Sequence, residues 1–300
     1  YFFLGSAAVM PRPDLNEELD DSQLTGTVKL AYHPNDNTLT YASFATGYKA
    51  GGTNTDRILP SLSPLFDAEK SRSAEIGIKH DFEEYGVRVN AAAHYTQISD
   101  FQATTFTGTG FNLQNAGDII VKGIELEATW LMTESTELHA VASRTLANFD
   151  EFKRGTCWVA YTWHTGIDDP GRVEPNDPFC SRDGDRVGFE PQNSLSLMLN
   201  HYFEVGNYPA SASIDYQYTG DVFLDDANDP YKYADDFSLF NVRVSFTIPQ
   251  WDSEIIAWSR NVFDEEYVAR SGFDVPVQTG KIMAYPGAPR SFGVTFRKSF

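Results

Sequence analysis

Apolar and polar residues alternate along most of this chain with a period of two. That is the signature of strands whose two faces meet different surroundings. Residues 24–32 set Leu24, Val28, Leu30 and Tyr32 against Thr25, Thr27 and Lys29. Residues 73–80 set Ala74, Ile76 and Ile78 against Ser73, Glu75 and Lys79. In 87–96, Val87, Val89, Ala91, Ala93 and Tyr95 oppose Arg88, Asn90, His94 and Thr96. In 120–130, Ile120, Ile124, Leu126, Ala128 and Trp130 oppose Glu125, Glu127 and Thr129, although Lys122 interrupts the apolar set. The segments 194–200, 210–218 and 240–246 alternate in the same way, the last two placing Asp215 and Arg243 among their polar members. Segment 38–48 is less regular, because Tyr41 and Phe44 fall on opposite faces. The final ten residues carry Phe292, Val294, Phe296 and Phe300 at alternate places, with Lys298 out of step. About eleven strands are predicted.

The connections alternate as well. "HPNDN" (33–37), "EEYG" (83–86), "TEST" (133–136), "EVGNY" (204–208) and "PQWD" (249–252) are short. Residues 50–66, 150–190, 221–235 and 262–287 are long, with "TGTG" (107–110) as an exception. Structureless loops beyond ~12–15 residues are uncommon in a compact domain. Long loops that each follow a tight hairpin gather at one end of an up-and-down sheet, the layout of outer-membrane barrels.

Composition narrows the choice. The chain has 300 residues, 41% of them hydrophobic, with 22 Phe and 15 Tyr. No uncharged apolar run approaches ~18 residues, so a membrane could be crossed only by a closed β-barrel. A formal charge of −19 argues against nucleic-acid binding, which draws its affinity from basic groups. Cys157 and Cys180 share one Pro/Gly/Asp-rich segment without a C-x-x-C pair. A disulfide closing one loop in an oxidising compartment is expected, with two unpaired thiols as the alternative. The opening "YFFLGSAAVM" has no positively charged n-region and does not read as a signal peptide. A mature chain or a piece of a longer one is expected.

The faces alone fit either a barrel, with lipid outside and a polar lumen, or a sandwich with a solvated exterior. Strand length favours the barrel. Segments 86–106 and 110–131 run past the ~5–6 residues usual in soluble sheets and past the ~9–11 that cross a bilayer.

Several stretches resemble TonB-dependent outer-membrane receptors. They are "YASFATGYKAGGTN" (41–54), "AEKSRSAEIGIKHDF" (68–82), "NAAAHYTQISDFQ" (90–102) with "NAGDIIVKGIELEATW" (115–130), "RNVFDEEYVARSGF" (260–273) and "GAPRSFGVTFRKSF" (287–300). The resemblance implies an all-β, antiparallel, up-and-down transmembrane barrel in the outer membrane of a Gram-negative bacterium. The family closes its barrels with about 22 strands around a plug. About eleven strands would leave two edges unpaired in lipid, so residues 1–300 are expected to be the C-terminal half of such a barrel, with the plug absent and a long extracellular loop at about 150–190. The implied function is energy-coupled import of a scarce, bulky nutrient, most often a ferric siderophore. Implied partners are outer-membrane lipid, TonB acting through the missing plug, the barrel assembly machinery and a small-molecule or metal-chelate ligand. Phe292, Val294, Phe296 and Phe300 match the family's assembly signal. The competing readings are a passive porin or structural barrel and a secreted β-sandwich adhesin.

For sites, the resemblance puts ligand on lumenal side chains and outer loops. Arg88, His94, Glu125, Glu127, Asp215 and Arg243 are expected to face the lumen. Trp158, Tyr161, Trp163 and His164 are candidates to stack on an aromatic ligand, or to pack within their own loop. Five Asp between Asp221 and Asp235 lack EF-hand spacing and read as a solvated acidic loop rather than a calcium site. The sequence has no H-E-x-x-H, G-x-S-x-G or phosphate-cradling glycine pattern. No catalytic residue, metal or cofactor is assigned, and no enzyme is expected.

Overall fold

The computed structural model describes residues 16–54, 63–106, 111–175, 177, 179–274 and 278–299. The alternating segments form one antiparallel sheet. Its strands are β1 (Gly26–Asn35), β2 (Thr38–Lys49), β3 (Glu69–Phe82), β4 (Val87–Ser99), β5 (Asp118–Thr133) and β6 (Thr136–Glu151), then β7 (Asn193–Val205), β8 (Tyr208–Thr219), β9 (Phe237–Ile248), β10 (Ser253–Arg260) and β11 (Ser291–Lys298). They are hydrogen-bonded in sequence order, an eleven-stranded meander. Among the described residues, β1 and β11 are each paired on one side only.

Short turns at 36–37, 83–86, 134–135, 206–207 and 249–252 share one end of the sheet. Long connections at 50–68, 100–117, 152–192, 220–236 and 261–290 share the other. Residues 107–110 lie outside the described residues, but they belong to a long connection whose flanks pair as a hairpin, Gln102–Phe106 with Phe111–Asn115. The expected short exception is therefore part of the long-loop end. The expected unbroken strands over 86–106 and 110–131 are also corrected. Each is interrupted by a residue at positive φ, Asp100 at 56° and Gly117 at 126°, which turns the chain out of the ladder. A Cβ on Gly117 would lie 1.8 Å from the carbonyl oxygen of Glu151, so only glycine allows this approach. Even so interrupted, β5 and β6 have 16 residues each, more than the ~9–11 that cross a bilayer.

Register carries one apolar face across the sheet. Leu30, Ala42, Ile76, Ala93 and Ile124 stand opposite one another in turn from β1 to β5. Leu199, Ile214 and Val242 continue the face over β7 to β9. Its exposure is inverted relative to a soluble sheet. Ile76 is 63% exposed, Ile124 60% and Val294 72%. Ser73, Glu75 and Gly77, on the other face of β3, are half-buried. No second layer covers the apolar face among the described residues, so the sandwich reading has nothing to pack on. The buried apolar cluster of Ala103, Ala116, Ile119, Phe149 and Phe152 lies instead at the long-loop end.

Candidate functional site

The polar face carries the six candidate residues and several cross-strand bonds. Arg88, His94, Glu125, Glu127, Asp215 and Arg243 all project on this side. Their partners across the ladder are Thr129, Gly123, Ser143, Val141, Asn241 and Ser213. Glu127 accepts from Asn90 at 2.9 Å. Arg88 donates to both oxygens of Asp81, at 2.5 and 3.0 Å. Tyr41 donates to Glu75 at 2.7 Å, and its ring covers Gly77, where a Cβ would meet ring carbon at 2.4 Å. Further along, Ser143 meets Ser194 at 2.8 Å and Ser213 donates to Asn200 at 2.8 Å. The bonds on this face run between cross-strand neighbours rather than converging on one point. The arrangement makes a hydrophilic surface, as lateral pairing in a sheet dictates.

The long loops form the second part of the site. In the 152–192 loop, Cys157 and Cys180 are joined by a disulfide, and a short helix, α1 (Ala160–Thr165), follows the first cysteine. The helix has no cap of its own. Asp229, fully buried in the 220–236 loop, supplies one. Its carboxylate accepts the backbone N–H groups of Val159, Ala160 and Tyr161 at 3.0, 2.9 and 3.2 Å. It also accepts from Tyr231 at 3.0 Å, capping the turn that begins at Pro230. One anion thus satisfies the orphan donors of two helical starts.

A second buried pair lies beside it. Arg182 donates to Asp169 at 2.6 Å, and both side chains are almost wholly buried. Asp169 also accepts from Trp158 and Gly171 at 2.8 and 2.7 Å. The Trp158 indole donates to the Ala227 carbonyl at 2.9 Å, and Arg182 donates to the same oxygen. The Asp169 carboxylate lies within 4.8 Å of both cysteine sulfurs. The disulfide leaves no thiolate there to ligate a metal.

Four of the five Asp of the acidic loop are tied to donors rather than solvated, contrary to the sequence reading, while Asp235 is exposed. Asp221 pairs with Arg186 at 2.6 Å, Asp225 with Lys232 at 2.8 Å, and Asp226 accepts from Gly188 at 2.9 Å. The Arg186 bond holds the Asp221 carboxyl below the usual carboxylate range. Burial pushes Asp226 up, opposed by the Gly188 N–H. Burial likewise raises Asp225 despite Lys232. Each carboxylate is turned to its own donor, so they do not form a shared oxygen cage.

The four aromatic candidates divide. Trp158 and Tyr161 pack edge to face, 5.2 Å between centroids, and Tyr161 continues onto Tyr231 at 5.7 Å. His164 meets Tyr231 at 5.1 Å and its Nε2 lies 2.8 Å from the Gly280 carbonyl. Trp163 remains 63% exposed. Loops 152–192, 220–236 and 261–290 therefore meet around this group. Sequence reading missed Asp169, Arg182 and Asp229. A local signal existed for one of them: Asp229-Pro230 is an N-cap followed by proline at the first helical position. Nothing local announces that the same carboxylate caps α1, about 70 residues away.

A second set of loops is joined the same way. Asn54 exchanges two 2.7 Å bonds with the backbone of Leu113. Gln102 donates to the carbonyls of Ala50 and Asp67 at 2.8 and 3.0 Å. The family-typical "NVFD" entry is likewise structural. Asn261, buried at a φ of 47°, donates to the Glu265 and Ala288 carbonyls and accepts from Glu265 N–H.

Comparison with known proteins agrees with this architecture. The pesticin receptors of Yersinia enterocolitica and Yersinia pestis are 34% identical over 129 residues, covering 42% of this chain and 18% of their own length. The crystal structure of the ferric yersiniabactin uptake receptor FyuA from Yersinia pestis superposes with a TM-score of 0.72 at 21% identity, covering 93% of this chain and 38% of that one. The siderophore receptor PiuA from Acinetobacter baumannii gives 0.64 at 16% identity, covering 91% of this chain and 35% of that one. The chain thus spans well under half the length of these relatives. The family model "TonB dependent receptor-like, beta-barrel" matches residues 8–262. The chain belongs to that family, a β-barrel of the Gram-negative outer membrane.

Proposed function

We propose that this chain is one part of the barrel wall of an energy-coupled outer-membrane receptor that imports a metal chelate, a ferric siderophore being the leading class. The observation that carries the reading is the inverted sheet. Large apolar side chains stand exposed on one face while a bonded polar face stands on the other. Leaving such side chains in water costs roughly 1.5–3 kcal/mol each; in hydrocarbon they cost nothing. The apolar face accordingly meets lipid and the polar face lines the lumen. Arg88, His94, Glu125, Glu127, Asp215 and Arg243 then hydrate the passage. The long-loop end faces outward, and Trp163 with His164 and Tyr231 offers aromatic surface to an arriving chelate.

The single-sided pairing of β1 and β11 supports closure by further strands, because open backbone in lipid costs several kcal/mol per group. Uptake through such a wall would be driven by TonB acting on a plug. Phe292, Val294 and Phe296 project from the apolar face of β11 at 80%, 72% and 61% exposure, available to the barrel assembly machinery. Phe300 lies outside the described residues.

Uptake of radiolabelled ferric chelates tests the proposal, in a strain lacking its own siderophore receptors and complemented with the complete receptor. Accumulation that stops on deleting TonB is expected. Entry of small sugars that persists without TonB would instead establish a passive pore.

A further inference from the structure

The outer loops are joined in two different ways. Loops 152–192 and 220–236 are bonded into one body. Asp229 caps the start of α1, Arg182 and Trp158 both donate to the Ala227 carbonyl, and Arg186 pairs with Asp221. Loop 261–290 meets that body at the tip of a hairpin, Val268–Asp274 with Ile282–Pro286. The tip ends in a β-turn over Gln278–Lys281, in which the Lys281 N–H donates to the Gln278 carbonyl at 3.1 Å. Gly280 takes the third place of the turn at a φ of 79°, and Thr279 before it is not at positive φ. That is the pattern of a type II turn, which favours glycine at this place.

The turn lies on the aromatic group of α1. A Cβ on Gly280 would stand 2.0 Å from Cδ1 of Trp163, so the Gly280 peptide rests directly on the indole. Gly280 is buried there. Its carbonyl oxygen lies 2.8 Å from Nε2 of His164. The imidazole is the donor in that bond, since a carbonyl has no proton to give. Glycine thus meets two demands at once, a positive φ and a bare face for the ring. The remainder of Trp163 is open, and Tyr231 beside His164 is 50% exposed.

A flat peptide unit on an indole, with its oxygen on an imidazole N–H, has a definite chemistry. It is that of a planar group carrying an oxygen acceptor. Resting on the receptor reading above, we infer that the Gln278–Lys281 turn is an internal stand-in for the ligand. It is an autoinhibitory contact, which a chelate with a planar aryl-oxygen group displaces from Trp163 and His164. Tip and ligand need the same indole face and the same N–H, so one excludes the other. Ligand therefore selects receptors whose tip has swung away, and its apparent affinity is reduced by the fraction whose tip is seated. The body that carries α1 stays in place, because the Asp229 cap and the Cys157–Cys180 bond do not involve the tip.

The test uses the complete receptor carrying this segment, with nitroxide labels at Val173→Cys on the body and Thr279→Cys on the tip. Electron–electron distance measurements read the position of the tip. Saturating ferric 2,3-dihydroxybenzoate should lengthen the distance, whereas ferric citrate, which has no ring, should leave it unchanged. Binding is then titrated with unlabelled protein. Gly280→Ala, whose Cβ has no room under Trp163, should bind the aryl chelate about fivefold more tightly, the value of one net hydrogen bond. Thr279→Pro sets the turn in advance and should bind it about threefold more weakly. An unmoved tip with the aryl chelate bound, or a Gly280→Ala affinity equal to or below that of the wild type, would overturn the inference. Failure of every form to bind either chelate would instead overturn the receptor reading, and the inference with it.

Discussion

At the scale of single residues, neighbours in sequence carry opposite duties. Ile76 and Gly77 are adjacent, yet one stands exposed on the apolar face and the other lies beneath Tyr41 on the polar one. A charge at position 76 is therefore expected to cost about 2–4 kcal/mol when that face meets lipid at mid-depth. Ile76→Arg should abolish the compact, heat-modifiable form of the complete receptor on unboiled gels, whereas Ser73→Arg should keep it. Asp229 is the most consequential single group of the loops. Asp229→Ala leaves the N–H groups of Val159, Ala160, Tyr161 and Tyr231 without their acceptor. A loss of about 2–4 kcal/mol of local stability is expected, from several charge-assisted bonds lost together. Hydrogen exchange at residues 159–165 reads it directly, and unchanged protection would refute the capping role.

At the scale of elements, the loops are tied into two bound groups rather than left as independent flaps. The Cys157–Cys180 bond closes a separation of 23 residues, worth about 3 kcal/mol in the chain-entropy account. Reduction, or Cys157→Ser with Cys180→Ser, should open the 152–192 loop to protease while leaving the sheet intact. Carboxylates of opposite sign in their shifts add a pH dependence. Burial raises Asp226, so its contribution is complete below the unfolded value of ~3.9 and is lost as pH rises through its folded value. Arg186 lowers Asp221, whose contribution is present above ~3.9 and disappears as pH falls through its folded value. Burial raises Asp225 in the same way, so loop protection should increase as pH is lowered through the folded values of both groups toward ~3.9, and Asp226→Asn should reduce that rise. Exchange at Gly188, whose N–H Asp226 accepts, is the measurement.

At the scale of the whole molecule, the sheet is a wall with two edges rather than a body with a core. Its buried apolar cluster joins the long-loop ends of β5 and β6 to the loops, and the apolar side chains of its outer face wait for lipid. Expressed alone, the 300-residue chain should aggregate without detergent and show no compact unboiled band, because one backbone edge of β1 and one of β11 have no partner strand among the described residues. A soluble monomer would remove the premise. The strands, their two faces and the alternation of short and long connections were legible in the residues, since a period of two is local and the pleat obeys it. The interruptions at Asp100 and Gly117 were not, because they arise from what crosses them: Glu151 presses on Gly117 only once β6 is in place. The acidic loop misled for a similar reason. Its composition asks for water, but Arg186 and the start of α1 arrive from distant parts of the chain to receive those charges, and Lys232 turns back within the loop onto Asp225. By itself the sequence determined the wall, because alternation is decided between neighbours. Only the tertiary structure decided how the loops lock together, because a buried charge takes whatever partner the fold brings to it, and a short window of sequence does not name that partner.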